Sequence, residues 1–248
     1  MTELRRPPLN FDLAEARAFF RARSVLVTGG GGSIGLELIR QLAELGCPRI
    51  GVLDHFDHGL ITACDAVREE FPSVDLVEIL CDIRDRESLG LWFARMRPDV
   101  VINAAALKHV HLGERHPGEC VRTNLIAVRN VLAAAADVGA QAFVQVSTDK
   151  AADPVCVMGA SKRLAELYLW GFASERKGIA LKAVRFGNVF GSQGSVVPRF
   201  ARQIEAGRDL EVTHPDMKRF FMTAREASQF VAQVAAHREA GVASYCRE

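Results

Sequence analysis

The sequence predicts an α/β fold, a Rossmann-like doubly wound parallel sheet followed by a small, apparently truncated C-terminal lobe. Three observations carry this prediction. Short apolar runs alternate with helical patterns along most of the chain. The runs are nearly continuous in Val, Ile and Leu, as strands buried on both faces must be. A glycine-rich stretch joins the first run to the first helical pattern, where such a fold turns its chain most tightly.

In order, the candidate strands are SVLVT (24–28), RIGVLD (49–54), DLVEIL (75–80), DVVINA (99–104), AFVQVS (142–147) and LKAVRF (181–186). Helical patterns lie between them near 34–45, 59–71, 86–96, 118–138 and 158–176. After about residue 190 the rhythm changes. Gly, Pro and Arg become frequent, and one more helical pattern runs from about 224 to 238. The expected organisation is an N-terminal extension (1–22), a dinucleotide-binding domain (23–190) and a partial substrate-binding lobe (191–248).

Composition excludes several classes. Lys plus Arg number 31 and Asp plus Glu 30, so there is no basic field for nucleic acid. The six cysteines, at 47, 64, 81, 120, 156 and 246, lack paired C-x-x-C spacing and read as reduced thiols of a cytoplasmic protein. No apolar run reaches the roughly 18 residues of a membrane span. The N-terminus carries Arg5, Arg6 and two prolines but no apolar signal-peptide core.

The run VTGGGGSIG (27–35) follows a strand and opens an amphipathic helix. Gly29, Gly32 and Gly35 have the G-x-x-G-x-x-G spacing that lets backbone approach a pyrophosphate, and Ser33 and Ile34 open the helix whose free N–H groups face the negative charge. Asp54 closes the second strand nineteen residues after Gly35, with His55 next to it. A carboxylate there accepts from the adenosine ribose diol and repels a 2′-phosphate. No Arg or Lys occurs between 55 and 60, so the expected cofactor is NAD. Asp82 and Ile83 follow the third strand and either flank the adenine or serve as a helix cap and a core residue. Ala104 closes the fourth strand and Ala105 and Ala106 follow it, on the same rim.

The segment VSTDKAADPVCVMGASKRLAE (146–166) resembles the active-site stretch of a short-chain dehydrogenase/reductase, with Lys162 on the helix and Met158 where a Tyr stands four residues before it. With LDHFDHGL, NAAALKHVHLGERHP, VRTN, VRFGNVFGSQGSVVPRF and THPDMKRFFMT, it makes the chain similar to the CapD-type polysaccharide-biosynthesis branch of the extended members of that superfamily, nucleotide-sugar 4,6-dehydratases acting on UDP-N-acetylglucosamine. RRPPLNFDL resembles the segment that joins this domain to a membrane-spanning half in longer relatives. The resemblance implies an NAD-dependent enzyme in which retaining members have Met for Tyr and use the S-T-D-K run for proton chemistry. Such a reaction moves a hydride from C4 to the cofactor, a proton from C5 to a base, the C6 hydroxyl out as water with the help of an acid, and the hydride back to C6.

On that resemblance, Asp149 is the acid, Lys150 the base, Thr148 a hydrogen-bond partner of the C4 hydroxyl, Met158 an apolar wall, and Lys162 the holder of the nicotinamide ribose. Asp149 has to be protonated and Lys150 neutral when each acts, and burial under substrate favours both states while their adjacency opposes them. Asn124 resembles the superfamily Asn that supports a water beside the Lys. Lys108 and His109 are candidate contacts to the sugar or its N-acetyl group, and Asn188 and Arg219 resemble positions near the UDP portion. His109, His111 and His116 have no clustered acid or thiol partner, and no metal is expected. The helices at 118–138 and 158–176 have apolar faces that either form a four-helix interface in a homodimer or cover the sheet. Two other readings stand. A nucleotide-sugar epimerase is disfavoured because the only tyrosines, Tyr168 and Tyr245, form no Tyr-x-x-x-Lys. A non-catalytic NAD-binding subunit or remnant is suggested by the ending GVASYCRE, where the last strand of relatives is missing or altered.

Overall fold

A computed structural model describes Pro7, Leu9 and residues 11–212, 214–237 and 239–245. Arg5, Arg6 and Cys246 lie outside the described residues. The first elements are α1 (Ala14–Phe20), β1 (Ser24–Thr28), α2 (Ser33–Glu44), β2 (Arg49–Asp54), α3 (Asp57–Glu70), β3 (Asp75–Leu80), α4 (Arg86–Met96) and β4 (Val100–Asn103). There follow α5 (Val110–Arg115), α6 (Pro117–Val121), a π-helical turn (Arg122–Ile126), α7 (Ala127–Asp137), β5 (Ala142–Val146), a 3-10 turn (Asp149–Ala151), α8 (Val157–Glu175) and β6 (Ala180–Phe186). The last are β7 (Asn188–Val189), α9 (Val196–Glu205), β8 (Phe221–Met222), α10 (Ala224–Ala236) and β9 (Gly241–Tyr245).

Among the described residues, seven strands form one parallel sheet in the order β3-β2-β1-β4-β5-β6-β9. The order reverses between β1 and β4, which opens a crevice at the carboxyl ends of the central strands. One face packs on α1, α2, α3 and α10 through Phe20, Leu38, Leu42, Val67 and Val231. The other packs on α4, α7 and α8 through Phe93, Val131, Leu132 and Leu169. The central strands β1, β4 and β5 are almost wholly buried because both sheet faces are covered, whereas the edge strand β3 alternates buried and exposed residues. At the rim a buried polar row crosses three strands. Thr28 pairs with Asn103, whose Nδ2 donates to Gln145 Oε1 at 2.7 Å, and Gln145 Nε2 donates to the Val146 carbonyl at 2.8 Å.

The predicted strands match the observed ones to within one residue at each end. The ending GVASYCRE predicts a missing or altered last strand; instead Gly241–Tyr245 pairs in parallel with β6, from Lys182↔Gly241 to Phe186↔Tyr245. The change of rhythm near 190 marks a departure from the main sheet that begins at β7, which pairs with β8 in a separate two-stranded parallel sheet; α10 then packs against α2 and β9 joins the main sheet. Thr223 and Glu226 form a capping box at the start of α10. The N-terminal segment lies on the same helix: Leu9 N donates to Glu226 Oε1 at 2.8 Å, and Phe11 stacks on Phe230.

Candidate active site

Two rims meet in the crevice. The glycine-rich rim is built from backbone. Gly29 turns with φ +69°, and a Cβ there would lie 2.7 Å from the Ala105 nitrogen. A Cβ on Gly35 would strike the Gly29 carbonyl oxygen, so the α2 start lies tight on the loop. Gly32 is the α2 N-cap and brings no side chain to bond the first-turn N–H groups. Those donors, including Ser33, Ile34 and Gly35, fit an anion. Asp54 is buried at the end of β2; its Oδ2 accepts from Gly31 N at 3.0 Å and its Oδ1 from Phe56 N at 3.0 Å. His55 is exposed with its Nδ1 3.4 Å from Asp54. The set fits a dinucleotide: glycine backbone, a helix start, and a carboxylate fixed beside both.

Asp82 is engaged by Arg84 in a side-chain pair at 2.6 Å, which holds its carboxyl below the usual range. Ile83 is buried in the core, and Asn130 Nδ2 donates to its carbonyl at 3.4 Å. Ala104 N donates to the Thr28 carbonyl at 3.1 Å, Ala105 seats against Gly29, and the partly buried Ala106 continues the rim.

The second rim is built from side chains at the ends of β5 and β6. Thr148, Asp149 and Lys150 leave β5 into the 3-10 turn. Thr148 Oγ1 donates to Asp149 Oδ1 at 2.9 Å, and Lys150 Nζ donates to the same oxygen at 2.9 Å and to Asn188 Oδ1 at 3.3 Å. Met158 is 4% exposed on the first turn of α8 and faces Gly113 of α5. One turn on, Lys162 is 5% exposed and donates to the Val146 carbonyl at 2.9 Å. Burial pushes the Lys162 ammonium down to about 8, against the opposing pull of Cys120 and Glu166. Asn124 sits in the π-helical turn, a distortion frequent at functional sites. Its Oδ1 accepts from Leu107 N at 2.9 Å, and its Nδ2 donates to the Leu107 carbonyl at 3.0 Å and to Ser161 Oγ at 3.0 Å.

The structure brings Thr148, Asp149, Lys150 and Asn188 into one connected group, with Met158 and Lys162 on the adjoining helix. Lys108 and His109 stand at the start of α5, against the loop after β7. Lys108 Nζ donates to the Gln193 carbonyl at 2.6 Å, and Gly194 seats against the His109 ring. Burial, with Lys108 and His111 nearby, pushes the His109 imidazole below its usual range. Gln193 N also donates to Ser33 Oγ at 3.0 Å, so the loop after β7 spans from one rim to the other. Arg219 is exposed and donates to the Lys218 carbonyl at 2.7 Å; no side-chain contact joins it to Lys150, although its strand neighbour Phe221 pairs with Asn188. Among the described residues no three His, Cys, Asp or Glu side chains converge, the five cysteines are free thiols, and no helix is long and apolar enough to cross a membrane.

Sequence reasoning missed two features. A Cβ on Gly159 would strike the Lys150 carbonyl oxygen, so this glycine lets α8 approach the S-T-D-K turn. Glu166 is fully buried; its Oε1 accepts from Ser147 Oγ at 2.6 Å and from Arg185 Nε at 2.8 Å, and its Oε2 accepts from Arg163 at 3.2 Å. Burial would raise this carboxyl, but Arg185, Ser147 and Arg163 together outweigh it and hold it below the usual range. The available signal was an acid one turn after Lys162 on the buried face of α8.

Fold and site together define an extended short-chain dehydrogenase/reductase. Over residues 25–243 the chain matches the family described as polysaccharide biosynthesis protein, and it belongs to that family. It is 37% identical over 239 residues to the capsular polysaccharide biosynthesis protein CapD of Staphylococcus aureus, an alignment that covers 96% of this chain and 40% of CapD. The chain thus spans about two fifths of that relative's length. It is 35% identical over 216 residues to an inverting UDP-N-acetylglucosamine 4,6-dehydratase of Campylobacter jejuni, covering 86% of this chain and 63% of the relative. Among solved structures it resembles the UDP-glucose 4-epimerase of Thermus thermophilus in complex with NAD, with a TM-score of 0.74, 25% identity, and coverage of 90% of this chain and 77% of that one.

Proposed function

We propose that the chain is an NAD-dependent nucleotide-sugar 4,6-dehydratase that converts UDP-N-acetylglucosamine to a UDP-4-keto-6-deoxy sugar with retention at C5. The observation that carries this reading is the Thr148–Asp149–Lys150–Asn188 group at the ends of β5 and β6, beside a buried Lys162 and a methionine in place of a phenol. The glycine-rich loop and the α2 N-terminus would hold the pyrophosphate of NAD, Asp54 its adenosine ribose and Lys162 its nicotinamide ribose, and the chemistry supplied there would be reversible hydride acceptance between C4 and C6 of the sugar. As C4 is oxidised, its hydroxyl proton would pass through Thr148 Oγ1 to Asp149 Oδ1, 2.9 Å away. Asp149 would give that proton to the departing C6 hydroxyl, which leaves as water, and a neutral Lys150 would take the proton from C5 and return one there when the hydride reaches C6. Their 2.9 Å ion pair opens for either step, and a sugar seated between Asn188 and Thr148 is placed to part them. Met158 excludes water from the nicotinamide side. Lys108 and His109 contact the sugar from the start of α5, and residues 191–220, Arg219 among them, form the lobe that takes the UDP portion.

The apolar side chains Ile126, Leu164 and Leu167, each at least 40% exposed on the π-helical turn and α8, support pairing of two copies through these helices, which sedimentation of the purified protein tests. The activity test is incubation with UDP-N-acetylglucosamine, followed by product mass and the C5 configuration. Loss of one water with retained configuration supports the proposal. Unchanged mass with an inverted C4 centre supports an epimerase and overturns it.

A further inference from the structure

Two successive turns of α8 grip two successive residues at the end of β5. Lys162 Nζ donates to the Val146 carbonyl at 2.9 Å, and one turn on Glu166 accepts from the Ser147 hydroxyl at 2.6 Å. The next three residues are Thr148, Asp149 and Lys150. Ser147 is held from a third side, since its N–H donates to the Val184 carbonyl of β6 at 2.7 Å. Glu166 is itself fixed by Arg185 of β6 and by Arg163 of α8. A wholly buried carboxylate is costly, and apolar residues of like volume fill such positions at least as stably. An ion pair with Arg185 alone would tie α8 to β6, but it would not require a bond to the residue where the reactive segment leaves its strand.

We propose that Glu166 is a positioning residue: through Ser147, and in register with the Lys162–Val146 bond, it fixes the end of β5 so that Asp149 and Lys150 project into the crevice at a set angle. It touches neither sugar nor cofactor and acts through Ser147. The turnover arm of its test rests on the dehydratase reading, and the spectroscopic arm does not.

The chain holds six lysines, at 108, 150, 162, 177, 182 and 218, so their side-chain Cε signals are resolvable by NMR after 13C-lysine labelling. The variants are Glu166→Gln and Ser147→Ala, each studied with NAD present. Glu166→Gln leaves Arg185 without its carboxylate and risks misfolding; Ser147→Ala removes only the hydroxyl, keeps both ion pairs, and decides the matter alone if needed. In Ser147→Ala the Lys150 and Lys162 signals should move while those of Lys177, Lys182 and Lys218 stay. The kcat should fall at least tenfold, with KM and the NAD dissociation constant within about twofold of the parent. Unmoved Lys150 and Lys162 signals, or a kcat within twofold of a working parent, overturn the proposal. A parent inert toward UDP-N-acetylglucosamine sinks the dehydratase reading instead, and the lysine signals then judge the positioning role by themselves.

Discussion

The two rims of the crevice are built by opposite means. Between β1 and α2 the geometry is made of backbone, with glycines whose Cβ atoms would strike carbonyl oxygens or neighbouring chain and a helix start left uncapped. At the ends of β5 and β6 it is made of side chains in series, from Arg185 through Glu166 to Ser147, and from Asn188 through Lys150 and Asp149 to Thr148. A backbone cradle binds what every dinucleotide shares. A side-chain network can be retuned one residue at a time. Binding and chemistry should therefore separate under mutation.

The largest expected effect is Asp149→Asn. Loss of the proton donor should lower turnover by about 10²- to 10⁴-fold while NAD affinity stays unchanged, as a steady-state assay beside a cofactor titration will show. A parallel loss of NAD binding would mean that the two rims are one unit. Asp54→Ala is the converse. NAD binding should weaken by about 1–3 kcal/mol, and discrimination against NADP should narrow, with kcat at saturating cofactor largely retained. Tighter binding of NADP than of NAD by the parent would contradict the role given to Asp54.

Lys182, unlike Lys162, is a buried lysine away from both rims. It lies on β6, and its Nζ donates to the carbonyls of Ala235 at 2.6 Å and His237 at 2.5 Å, closing the C-terminus of α10. Burial pushes it down to about 8 from 10.5. Below pH 8 the folded and unfolded chains both hold the proton and the burial cost is fully present. Between about 8 and 10.5 the unfolded chain holds a proton that the folded chain has released, so this group makes stability rise with pH, by at most about 1.4 kcal/mol per unit. The urea midpoint of the parent should therefore climb over that range relative to Lys182→Met. The smallest effect is expected at Met158. Met158→Leu, close in volume, should keep turnover within about tenfold of the parent, and Met158→Tyr should bring no gain. A Leu variant that binds normally but loses a thousandfold would give the sulfur a specific role.

The backbone rim was legible in the sequence because its signals are local. Glycines at fixed spacing, a strand before them and an acid at the end of the next strand specify the turn without reference to distant residues. Thr148, Asp149, Lys150, Met158 and Lys162 were legible for a related reason, since they lie within fifteen residues of one another. Glu166 was not singled out, because its partners Ser147 and Arg185 come from two neighbouring strands and an isolated glutamate on a helix reads as solvent-facing. Strand β9 was misjudged because GVASY carries one large aliphatic residue; its place is set by pairing with β6 rather than by its own composition. Arg219 was picked by resemblance alone, as a position near the UDP portion.

The most direct test of the division between the rims is deuterium uptake at C5 of the sugar in heavy water, measured for the parent and for Lys150→Met with NAD bound to both. Product from the parent should carry solvent deuterium at C5, and the variant should bind NAD as the parent does yet exchange that position at least a thousandfold more slowly. Exchange at the parental rate in Lys150→Met would show that another group takes the C5 proton and that the S-T-D-K rim does not carry the chemistry assigned to it.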